Sequence, residues 1–81
     1  MTARKPITYH VGCFILEEMH AHDWRVSDLA IRSGISTERL QALILNEESL
    51  THKDAAGLAK AFGTSELMWR RLGGISQEAT L

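Results

Sequence analysis

The stretch LAIRSGISTERLQALI, residues 29–44, carries two apolar stripes separated by a single glycine. Leu29 and Ala30, with Val26 before them, face one way on the first segment. Leu40, Leu43 and Ile44 repeat the three-and-four spacing on the second. Gly34 lacks the Cβ that makes left-handed backbone costly, so it is read as the stop between them. Ile35 then packs into the corner, and Ser36 or Thr37 offers a hydroxyl to cap the next helix. The pattern predicts short helices over about 25–33 and 37–44, joined by a tight turn.

The same punctuation recurs on both sides. Upstream, Val11, Phe14, Ile15 and Met19 mark a helix over about 10–22, with Glu17 and Glu18 on its other side. Downstream, Asn46 tolerates left-handed backbone and should turn the chain again. Thr51 then caps a fourth helix over about 52–62, whose inner face holds Ala55, Leu58, Ala59 and Phe62. Gly63 ends it, Ser65 caps a fifth, and Leu67, Met68, Trp69 and Leu72 follow before Gly73 and Gly74. No alternating strand pattern is present. The expected fold is all-α, with five compact helices over residues 10–74, a flexible N-terminal arm over 1–9 and a short tail over 75–81.

At 81 residues the chain is one small domain, and a hydrophobic content of 44% is enough for a core without metal or disulfide staples. The single cysteine, Cys13, has no internal partner, which suits a reducing cytoplasm. No apolar run approaches the roughly 18 residues of a bilayer span. The net charge of −1 supplies little general attraction to phosphate.

Two short helices meeting at a tight turn form a helix-turn-helix, whose second helix can enter a DNA major groove. That geometry asks for a small residue at the close approach (Ala30), a glycine four residues on (Gly34), and apolar residues at Ile35, Leu40 and Leu43. All are present. The segment VSDLAIRSGISTERLQALI resembles the helix-turn-helix of lambda-repressor and Cro-type regulators. The longer set ILEEM, LAIRSGIS and ILNEESLTHKDAAGLAKAFGTSELMWRRL is similar, more narrowly, to HigA-type antitoxins of plasmid-maintenance modules, over about residues 11–72.

That resemblance implies a lambda-repressor-like fold and an operator-binding protein that represses its own operon as a homodimer. For an antitoxin it also implies a cognate toxin, in that family an mRNA-cleaving ribonuclease. Ser27 is expected to meet a backbone phosphate at the start of the second helix. Thr37, Glu38, Arg39, Gln41 and Ala42 are expected on the DNA-facing side of the third, and Asn46 just beyond. Gln41 has the chemistry to read adenine and Arg39 to read guanine. Arg4, Lys5 and Arg32 are candidate backbone contacts. Met68, Trp69 and Leu72 are candidates for a dimer or toxin interface, although Trp24 and Trp69 also read as core residues.

Four positions depart from the family pattern. Val26 stands where a phosphate-gripping glutamine is common, and Ser33 where an apolar residue is usual. Glu47 and Glu48 replace basic residues, each at a cost of roughly 1 kcal/mol against a nearby phosphate. Val26, Glu47, Glu48 and the near-neutral charge balance motivate an alternative, a helix-turn-helix fold that has lost its operator and serves as a protein-interaction module. His10 and Cys13 can share a helix face, but two ligands do not make a metal site, and no cofactor is expected. No nucleophile with a base and no phosphate-cradling loop is visible, so an enzyme is not expected.

Overall fold

The computed structural model describes residues 10–74. Within them the chain forms α1 (Val11–His22), α2 (Val26–Ser33), α3 (Thr37–Ile44), α4 (His52–Phe62) and α5 (Glu66–Leu72). No strand occurs among the described residues, and the architecture is all-α. The expected arm and tail lie outside them, as do Arg4 and Lys5.

Local chemistry explains where each helix begins. The Ser36, Thr51 and Ser65 hydroxyls accept the amides of Arg39, Asp54 and Met68 at 3.1, 3.2 and 3.0 Å. Each satisfies one of the amides that a helix start leaves without an internal partner. Before α1 an imidazole does this work, with His10 Nδ1 accepting from the Gly12 amide at 3.0 Å. The residue preceding α2 is Arg25, and the Asp28 carboxylate reaches back to accept its amide at 2.9 Å.

The helix ends follow the left-handed stops. Gly34 and Gly63 sit at φ 77° and 70°, and Asn46 at 63°. Asp23, at φ 59°, ends α1 in the same way; a short polar side chain tolerates this region better than most. The expected end near residue 22 is met, with Asp23 as the residue that makes the stop.

One core ties the helices together. Ile15, Leu29, Leu40, Leu43, Leu58 and Trp69 are fully enclosed, each buried aliphatic side chain contributing about 1.5–3 kcal/mol. α1 packs on α3, α2 on α3 and α4, and α4 on α5. Two crossings bring backbone against backbone. A Cβ on Gly12 would collide with the Ile44 and Leu43 carbonyl oxygens, and one on Gly57 with that of Ser33. Ser33 itself is buried, and its hydroxyl accepts the Ile35 amide at 3.1 Å. A polar side chain thus fits inside because it closes the α2–α3 turn.

Aromatic rings line the α4–α5 side of the core. Trp24 stacks on Phe62 with centroids 5.4 Å apart, and Phe62 on Trp69 at 5.7 Å. The Trp69 indole N–H donates to the Thr64 hydroxyl at 2.6 Å, satisfying the one polar atom of a buried ring. No described helix is long and apolar enough to cross a membrane.

Candidate nucleic-acid interface

α3 buries one stripe and exposes the other. Leu40 and Leu43 are fully enclosed, whereas Glu38 and Gln41 are exposed and Thr37 and Ala42 half-exposed. Thr37 with Gln41, and Glu38 with Ala42, are four apart and therefore neighbours on the helix surface. The Thr37 hydroxyl donates to Glu38 Oε1 at 3.4 Å. The outward side of α3 consequently presents one amide, one hydroxyl, one carboxylate and one methyl group.

Arg39 lies at the border between the stripes, and its guanidinium turns toward the start of α4. Nη2 donates to Asp54 Oδ2 at 2.6 Å and to the Ser49 carbonyl at 2.9 Å. Nε donates to Asp54 Oδ1 at 3.4 Å and Nη1 to Glu48 Oε1 at 3.3 Å. Asp54 Oδ2 also accepts the Thr51 amide at 2.9 Å, so one carboxylate both caps α4 and grips α3. The Asp54 side chain is only 7% exposed. Burial alone would push its carboxyl up. The Arg39 guanidinium and the Thr51 amide and hydroxyl together outweigh this and hold it below the ordinary carboxylate value. The same contact with Asp54 raises Arg39.

The remaining candidates are dispersed. Ser27 is exposed on the first turn of α2, where the Asp28 carboxylate already occupies the helix start. Arg32 is exposed but lays its guanidinium over the Trp24 ring, 4.5 Å from the centroid. It sits about 140° around α2 from Ser27, toward the aromatic row. Asn46 is exposed at its left-handed turn, followed by exposed Glu47 and Glu48. On α5, Trp69 is wholly enclosed, while Met68 and Leu72 are half-buried against the core. Leu67 is the exposed apolar side chain of that helix.

Two features escape a reading of the sequence. One is the Asp54 tether. The spacing T-H-K-D marks a capping pair between Thr51 and Asp54, but nothing in it points to Arg39. The other is Ile31, 82% exposed and one helical turn beyond Ser27, with Leu45 also outward at the end of α3. A cleft of about 440 Å3 opens beside the tether, between the α2–α3 turn and α4, lined by Gly34, Ser36, Arg39, Thr51, Lys53 and Asp54. No group of three or more metal-ligating side chains occurs among the described residues.

No protein-family model matches this chain, and no curated protein or solved structure matches it either.

Proposed function

We propose that the chain is a sequence-specific regulator of transcription that binds double-stranded DNA through a lambda-repressor-like helix-turn-helix. α2 lies across the phosphate backbone and α3 enters the major groove. In this reading it is a non-enzymatic, cytoplasmic homodimer that represses its own operon as the antitoxin of a toxin–antitoxin module, neutralising a cognate ribonuclease by binding it. One observation carries the DNA-binding part. Three residues join α2 to α3, and the side of α3 away from Leu40 and Leu43 is uncovered, with Glu38 and Gln41 exposed on it. The family resemblance of residues 11–72 supports the antitoxin part.

The test is a gel shift with the DNA upstream of the gene, across a salt series. Retardation that competes away with the same duplex, and not with unrelated DNA, supports the reading. No shift even at low salt would remove it. A small basic ribonuclease-like reading frame beside the gene separates an antitoxin from a stand-alone repressor.

Acidity favours a second reading, the interaction module without an operator. Glu38, Glu47 and Glu48 are exposed on α3 and the loop after it, where Arg39 is the one cation and is held by carboxylates. This reading predicts no DNA retardation but a stable complex with a protein partner.

A further inference from the structure

An arginine that reads guanine needs two N–H groups on one edge free to meet O6 and N7. The guanidinium has five N–H donors. In Arg39 four of them are engaged, by both oxygens of Asp54, the Ser49 carbonyl and Glu48. Only one N–H, on Nη1, is left over. Bidentate base reading would require the tether to open, exposing the Asp54 carboxylate without the cation that offsets its burial.

The tether also has a geometric consequence. Its two ends are fifteen residues apart, one on the first turn of α3 and the other on the first turn of α4. α3 has eight residues, and the element packing of the fold gives it α1 and α2 as its principal neighbours. The Arg39–Asp54 fork is a hydrogen-bonded side-chain link from α3 to α4, beside the exposed stripe. A forked, two-point contact fixes direction as well as distance.

We propose that Arg39 is a positioning residue. It does not read a base; it fixes the angle at which α3 presents Thr37, Glu38 and Gln41, and Asp54 is its anchor. The inference rests on the reading of α3 as the DNA-facing helix, and it moves base specificity onto Gln41 and Glu38.

The experiment uses duplexes enriched from a random library by the wild-type chain, together with all single-base-pair variants of the enriched site. Arg39→Gln, Asp54→Asn and the double variant are compared for affinity and base preference, with circular dichroism as a fold check. Arg39→Lys, which keeps the charge and loses the fork, is the milder variant should Arg39→Gln fail to fold.

The expected result is that both single variants lose affinity by the same factor, roughly tenfold, and the double variant loses no more. The ranking of single-base variants stays that of the wild type, and Arg39→Lys behaves as Asp54→Asn does. Two results overturn the proposal. One is an Arg39 variant that loses preference at one base pair while Asp54→Asn retains it. The other is an Arg39→Lys chain that keeps wild-type affinity, which marks a simple phosphate contact. If the wild type enriches no sequence, the proposed function fails, and the tether is judged by urea unfolding of the same variants. Non-additive losses in the two single variants and the double uphold it as the link that sets α3; additive losses overturn it.

Discussion

Gly57 of α4 lies against the backbone of Ser33 at the end of α2, so closely that a Cβ on Gly57 would stand 2.6 Å from the Ser33 carbonyl oxygen. The neighbour is main chain and cannot rotate away. The crossing that holds the α2–α3 turn against α4 therefore depends on a missing side chain, in the middle of a helix where glycine is otherwise unfavourable by about 1 kcal/mol.

Gly57→Ala is expected to destabilise the chain by about 1–2 kcal/mol, because overpacking exceeds the gain in helix propensity. Urea unfolding followed by circular dichroism reads this directly. An alanine variant as stable as wild type would mean that the helices separate at no cost.

Acid should loosen the α3–α4 junction. The Asp54 carboxyl is lowered in the fold from an ordinary value of 3.8. A group lowered on folding contributes stability that is fully present above its unfolded value and is lost as pH falls through the folded one. Wild type should therefore lose stability progressively below about pH 4. Asp54→Asn should be less stable at neutral pH and show a flatter profile in that window. Denaturation curves at half-unit steps from about pH 2 to 7 span that window; parallel profiles for the two chains would contradict it.

Gln41 is exposed and carries an amide suited to adenine. Gln41→Ala should cost about 1–3 kcal/mol of discrimination at one base pair and leave the dichroism spectrum unchanged. Gel shifts against single-base variants of the bound site give the number. An alanine chain with the wild-type ranking would place base reading on another side chain.

Few free cations flank α3, so if the chain binds DNA as proposed, the salt dependence of that binding should be shallow. Each neutralised phosphate adds about −0.9 to the slope of log affinity against log salt. A slope no steeper than about −3 is expected. A much steeper one would show that Arg39 is released on binding or that cations outside residues 10–74 reach the backbone.

Trp69→Ala should be the most damaging single change. The ring is fully enclosed, stacks on Phe62 and closes a hydrogen bond to Thr64. A loss of about 3–5 kcal/mol is comparable to the whole stability of a small domain. Loss of the cooperative thermal transition is the expected readout; a variant that melts near wild type would contradict the central place given to this ring.

Helix starts at Thr51 and Ser65 and at Ser36 or its neighbour Thr37, stops at Gly34, Asn46 and Gly63, and the buried positions Leu40, Leu43, Ala55 and Leu58 are legible in the sequence; the structure settles the cap on Ser36. The reason is that a cap, a left-handed stop and a three-and-four stripe each involve residues within about one helical turn. What the tertiary structure alone decided lies between residues far apart in the chain. A surface pattern cannot say which carboxylate an arginine will find, and Arg39 found Asp54. Neither could it place Arg32 over Trp24, make room for the Ser33 hydroxyl inside the core, or reveal that Gly57 permits a backbone crossing. Periodicity states which face is turned inward; the partner across the gap is set by how whole helices pack.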